Sequence, residues 1–439
     1  MFDATMLVMG GIVGSGIFIN PYVVARQVGT PVLILAAWAL GGVIALAGAF
    51  IYAELATRMP EVGGQYAYLR EAYHPAVAFL YGWVLLLVIQ TGGMAAVAVT
   101  FAAYFRELAG PALPAPAIAV AVLAALAIVN CLGVRTGSSV QSTLMLLKIL
   151  AIAALIAGGA WFLFGASRSA APPVAPAGTT PLGTVRALAV AMVPVLFAYG
   201  GWQTANFVAG EIREPRRNLP RALVLGVVGV IVLYLGVNYV CVAVLGPAGL
   251  AATTTPASAV MERAFGRRGS QWIALGIAIS ALGFLSQSIL TAPRVYFAMA
   301  RDGLFFRSVG WIDPRRRVPT VAILLQAAMA IVIALSGRYD QILSYVVSMD
   351  FLFFGLTATC LFRFRRRAAG SGQDSRLPLL ARVPGHPVTT ALFTVVSWLV
   401  VVSTIVKYPR DTAVGFAILA AGVPVYLVWS RRKRRDAAP

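Results

Sequence analysis

The feature that most constrains this chain is a succession of twelve apolar runs, most about 18–28 residues long, separated by short joints. A run of that length, wound as a helix at about 1.5 Å per residue, matches the roughly 30 Å hydrocarbon core of a bilayer. Barrel strands are shorter, about 9–11 residues, and alternate in polarity. These runs are too long and too continuous for that. Inside lipid no water satisfies a backbone N–H or C=O, so each run must close its own hydrogen bonds as a helix. Composition agrees: 60% of the 439 residues are hydrophobic and 11% charged, against about 25% charged in soluble proteins. An all-α polytopic membrane protein follows.

The runs lie near residues 4–28, 31–57, 75–105, 115–133, 138–165, 184–211, 219–246, 270–301, 319–336, 339–362, 387–407 and 411–430. Proline marks several joints, as in Thr30-Pro31, His74-Pro75, Leu113-Pro114 and Val318-Pro319. The stretch from Ala171 to Pro181 reads as a Pro/Ala loop, so residues 1–430 form one transmembrane domain, followed by a basic tail at 431–439. The first run, from Phe2 to about Val28, is too long for a signal peptide's apolar region and lacks the usual cytoplasmic lead-in.

The net charge of +20 would fit a nucleic-acid binder, but its placement does not. The basic residues sit in clusters between apolar runs, such as Arg315-Arg316-Arg317, Arg363 to Arg367 and Arg431 to Arg435, as topology-setting loop charges do. Of 35 Lys and Arg, 24 fall in the tail and at or near alternate joints, ten at or near the other joints, and one, Lys148, in the middle of a run. That excess predicts an even number of spans with both termini in the cytoplasm of a plasma (inner) membrane. Cys131, Cys241 and Cys360 stand singly in apolar runs, and His74 and His386 precede prolines. No metal or cofactor is expected from them, and no nucleophile–base–orienter set marks an enzyme.

Two runs carry glycines near mid-membrane. The first has Gly10-Gly11 and Gly14-Ser15-Gly16; the sixth has Gly200-Gly201 between Phe197-Ala198-Tyr199 and Trp202. A glycine inside a helix costs about 0.5–1 kcal/mol relative to alanine. Close helix packing is one explanation. The other is a helix break, and the pairing favours it. Runs one and six open two five-run halves, about 4–165 and 184–362, with two further helices at about 387–430. Corresponding interruptions of this kind point to a transporter binding site. Because five is odd, the second half is inverted relative to the first.

Two such breaks suit a small zwitterion. Free N–H groups at Ser15, Gly16 and Ile17, at the positive end of a half-helix, suit a carboxylate. Free carbonyls near Gly11, Ile12, Phe197 and Ala198 suit an ammonium. Lys148 lies centrally in the fifth run, where snorkelling to the interface is difficult. Its expected place is inward, against carbonyls of the broken first run, where it could couple transport to protons. Asp350, inside the tenth run, either touches the substrate ammonium or bonds a neighbouring helix. Glu54 and Glu211, near span ends beside Arg58 and Arg213, read as gate or interface ion pairs.

Four motifs carry a resemblance. They are Gly10 to Phe18; Phe197 to Trp202 with Asn206 to Glu211 and Pro215 to Pro220; Thr291 to Gly303; and Tyr52 to Leu55 with Pro60 to Tyr68. Together and in this order they resemble the amino acid–polyamine–organocation superfamily, above all its L-type amino-acid transporter branch and bacterial homologues. The resemblance implies the inverted-repeat leucine-transporter fold of twelve helices, with helices one and six broken, and alternating access. It implies a substrate held by Ile12, Gly14, Ser15, Gly16 and Ile17 and by Phe197, Ala198, Tyr199, Gly200, Gly201 and Trp202, with Phe197 as gate aromatic. Lys148 matches the fifth-span lysine of sodium-independent members, which leaves Ser286 and Ser288 without an expected ion to hold. The implied activity is exchange or proton symport of amino acids, with neutral ones preferred. A polyamine or cationic amino-acid carrier is the alternative, and a transporter-like receptor or channel the reading from another class. The loop from about Arg106 to Pro114 has no cysteine, so no disulfide-linked ancillary subunit is expected.

Overall fold

The computed structural model describes residues 1–110, 112–165, 180–336, 339–369 and 381–436. Most of the expected Pro/Ala loop and the last three residues of the tail lie outside them. Regular structure among the described residues is helical throughout. In chain order the helices are α1 Phe2–Ile12, α2 Gly16–Val28, α3 Pro31–Arg58, α4 Gln65–Ala72, α5 Pro75–Val84, α6 Gln90–Ala109, α7 Ala115–Cys131, α8 Val134–Gly165 and α9 Pro181–Tyr199. There follow α10 Thr204–Phe207, α11 Pro215–Ala252, α12 Pro256–Thr291, α13 Pro293–Arg301, α14 Thr320–Ser336, α15 Tyr339–Ala369, α16 Val388–Lys407 and α17 Pro409–Asp436.

The joint prolines act as helix starters. Pro31 and Pro75 occupy first-turn positions, where a missing N–H costs nothing. Thr30 and His74 precede them as caps, accepting from the N–H groups of Leu33 (3.3 Å) and Ala76 (3.1 Å). Among the described residues nine helical segments are long and apolar enough to cross a bilayer, ten if α1 and α2, bent by 42°, make one span. The two further apolar helices, α7 and α14, have 17 residues each. That is about 26 Å, a little short of the hydrocarbon core. Three boundaries differ from expectation. The joint after α3 holds a buried helix, α4; the third run is interrupted by a π-helical turn at Leu85–Ile89; and α11 and α12 bend at Gly246 and Gly266. The last two bends are glycines at positive φ, which an L side chain rarely adopts.

Burial sorts the helices. The α5–α6 span is the most enclosed and α17 the least. On α8, Met145, Lys148, Ile152 and Leu155 are fully buried, while Leu146, Leu147 and Leu150 are exposed. That three-to-four residue spacing is one inward stripe of a lipid-facing helix. Both chain ends come to the same end of the bundle. The start of α1 shares a cavity with Glu211 and Arg213, and Arg294 ties Glu211 to α13. Near the other terminus, Trp429 packs on Phe306 and Tyr426 on His74, both in joints of that end.

Candidate functional site: two broken helices around one cavity

The first run breaks at residues 13–15 and the sixth at 200–203. The breaks touch. A Cβ on Gly201, whose φ is +107°, would stand 2.0 Å from the carbonyl oxygen of Gly11. A Cβ on Gly11 would stand 2.6 Å from the oxygen of Gly201. Glycine is required at both places because backbone meets backbone with no room for a side chain. Gly16 lies similarly against Ala198, with 3.0 Å between a Cβ there and the Ala198 Cα.

Beside this crossing lies a cavity of about 690 Å³, part of it open to solvent. The wall from the first run is Gly11, Ile12, Gly14, Ser15 and Gly16; the wall from the sixth is Leu196 to Ala198 and Gly200, Gly201, Gln203 and Thr204. Ser15 precedes α2 without capping it, and its buried hydroxyl has no hydrogen-bond partner. Ser15 Oγ and the first N–H groups of α2 therefore form an open donor edge. At the carbonyl edge, the Tyr234 hydroxyl stands 3.2 Å from Ile12 O and 3.1 Å from Ala198 O. It has one proton for two acceptors, so it links the ends of α1 and α9 and leaves acceptor capacity unused. Gln287 donates to Thr204 Oγ1 (2.7 Å), which donates to Gly201 O (2.7 Å), fixing the second break.

Not every residue singled out in the sequence reaches the cavity. Ile17 is fully buried just behind it. Tyr199 packs on Trp38 and Tyr234, and Trp202 on Phe354. These three support the walls. Glu54 lies at the far end of α3, fully buried, bonded to Arg58 (2.7 Å), Arg365 (2.6 Å) and the N–H of Val383 (2.9 Å). Glu211 pairs with Arg294 (2.9 Å) and not with its sequence neighbour Arg213. Asp350 does line the cavity, with its buried Oδ1 lacking a partner. Lys148 is fully buried behind the first break and donates to the carbonyls of Val13 and, at 3.5 Å, Gly10.

Among the wall residues the sequence did not single out are Gln90, Gln287, Phe284 and Phe351. Gln90 follows the π-helical turn, whose extra residue re-aims the helix; Thr91 Oγ1 bonds Leu86 O (2.7 Å), filling that irregularity. Gln90 and Gln287 are lone amides in apolar runs, a signal that was available.

Membrane-spanning helices whose two breaks meet at one cavity have the architecture of a transporter. The chain belongs to the amino acid permease family, whose model matches residues 1–429. It is 30% identical to the serine/threonine exchanger SteT of Bacillus subtilis, over 98% of this chain and 96% of that protein. It is 29% identical to the rat large neutral amino acids transporter small subunit 2, over 98% and 80% of the two chains. It is 30% identical to the mouse b(0,+)-type amino acid transporter 1, over 90% and 81%. The protein is thus a multi-pass membrane protein of the amino acid–polyamine–organocation superfamily.

Proposed function

We propose that this protein is a sodium-independent exchanger of neutral amino acids in the plasma membrane, with both termini cytoplasmic, working by alternating access of two inverted halves. The contact between Gly11 and Gly201 carries the reading, because it sets a donor edge and an acceptor edge on one cavity. The α-carboxylate sits on the first N–H groups of α2 and the Ser15 hydroxyl, favoured by the positive end of the helix. The α-ammonium takes carbonyls where α1 and α9 end. Ile89, Val97, Phe197, Phe284, Val346 and Phe351 receive the side chain.

Lys148 supports sodium independence. Its ammonium occupies carbonyls that a bound cation would otherwise coordinate. Exchange is the mode for which the Bacillus relative is named. A cationic side chain is the second reading, favoured by Asp350, the only ionisable side chain on the cavity wall among the described residues.

Purified protein in liposomes tests both. Radiolabelled neutral amino acids should enter only vesicles preloaded with amino acid, equally in sodium and choline buffers. Lys148→Ala should lower that uptake at least about tenfold, the equivalent of about 1.4 kcal/mol. Uptake confined to lysine, arginine or polyamines would favour the second reading. Accumulation into empty vesicles under a pH gradient would replace exchange with proton symport.

A further inference from the structure

A second cavity lies at the end of the bundle that carries the chain start. It shares three structural paths with the central cavity: α1 through Ala4 and Leu7 against Gly11, α12 through Leu290 against Gln287, and α10 with its following turn through Val208 against Thr204. On α1 the second cavity lies about one helical turn closer to that end, and on α12 it begins two residues beyond Ser288 of the central wall. It therefore lies beside the central cavity, on the side toward that end.

Its walls differ in chemistry. Asp3, Glu211, Arg213, Asn218 and Gln141 line it. Glu211 is held by Arg294, with contacts of 2.9 and 3.2 Å. Asp3 and Arg213 have no ion-pair partner among the described residues. The Gln141 side chain is 4% exposed, yet neither its Nε2 nor its Oε1 has a hydrogen-bond partner. A buried amide unpaired at both ends costs free energy unless something completes it. It lies against Gly10, where an added Cβ would be 2.5 Å from Nε2, one residue before the first run's part of the central wall begins at Gly11.

We propose that this vestibule is a second binding site for the same zwitterionic class, holding the α-carboxylate at Arg213 and the α-ammonium at Asp3 and Glu211, with Gln141 completing the contact. The proposal rests on the amino-acid reading of the central site, and it adds a station that the substrate occupies between that site and solvent. Carboxylates and a guanidinium on one wall set suit a group carrying both charges. They also explain why the charge lies here while the central walls rely on backbone.

The test is protection of a cysteine in the vestibule. Ser142→Cys places a thiol on its wall, in a full chain whose three native cysteines, all buried, are replaced by alanine. A membrane-impermeant thiol reagent is applied from the chain-start side with and without a transported neutral amino acid. The central site is blocked by Gly201→Val, or, if that variant does not fold, by Gly14→Leu, which grows toward the Phe284 ring. Unprotected labelling at the parent rate shows that a blocked variant is folded. Millimolar amino acid is expected to slow labelling at least about threefold in the blocked protein, with Arg213→Gln removing most of that protection. The decarboxylated amine should protect less than the amino acid. Loss of protection in the blocked protein, while the unblocked parent still exchanges amino acids, overturns the vestibular site and leaves the central reading standing. Protection unchanged by Arg213→Gln also overturns it. Absence of exchange in the parent removes the central reading instead, and protection in the blocked protein would still uphold the vestibule.

Discussion

At the scale of single residues, function depends on places where a side chain is missing. Gly201 has no room for a Cβ and a φ that disfavours one. Gly201→Ala must push α1 from α9 or strain the backbone, at about 1–3 kcal/mol. Exchange in proteoliposomes is expected to fall at least tenfold while the protein remains monodisperse in detergent, since the affected contact is local. Near-normal exchange would mean that the two breaks need not touch. The glycine pairs were legible in sequence because their recurrence in corresponding spans favoured a break over close packing. Lys148 was legible because a mid-span charge must face inward. Ile17, Tyr199 and Trp202 were not, since neighbouring residues point about 100° apart on a helix and sequence gives no rotation for an irregular segment. Gln90 turns inward after a π-helical turn that no residue pattern announced.

At the scale of elements, the spans were legible and their ties were not. Hydropathy and proline marked the long apolar helices, although α11, α12 and α15 run beyond the expected ends, whereas α4, short and polar on average, carried no membrane signal. Ties between elements join residues distant in sequence. Glu54 is the strongest case. From the end of α3 it binds Arg365 on α15 and the N–H of Val383 before α16. It thereby fastens three elements with one carboxylate that is fully buried, beside guanidiniums that are partly exposed. Glu54→Gln removes the charge and leaves two arginines facing an amide. A loss of about 2 kcal/mol is expected, below the range for fully buried pairs because water reaches both arginines. Thermal unfolding in detergent should show a Tm several degrees lower, and Arg365→Gln should add little on top of it, since both changes break the same tie. Additive losses would show that the two residues act separately.

Across the molecule as a whole, the ionic ties among the described residues are unevenly distributed. Glu54 with Arg58 and Arg365, Arg70 with Glu61 and Asp302, Arg367 with Glu71 and Arg294 with Glu211 all lie at the end where the chain starts. At the opposite end Arg26 and Arg263 donate to the backbone carbonyls of Ala251 and Val244, each at 2.6 Å. A carrier that opens each end in turn must break whatever holds the end that opens. Ionic ties at one end therefore weigh against opening there. Asp302 tests this, since it accepts from Arg70 at 2.8 and 3.1 Å and from the Tyr66 hydroxyl at 2.8 Å. Both members of its ion pair are partly exposed, so the tie is worth about 1 kcal/mol. Removing it by Asp302→Asn should raise the population open at that end about fivefold. Ser288, buried on the central cavity wall, supplies the reporter as Ser288→Cys. An impermeant thiol reagent applied from the chain-start side should modify it about five times faster in the Asp302→Asn background. The same reagent from the opposite side should act more slowly than before, because the two open states share one population. Equal acceleration from both sides would mean that the substitution has loosened the whole bundle and not released one gate.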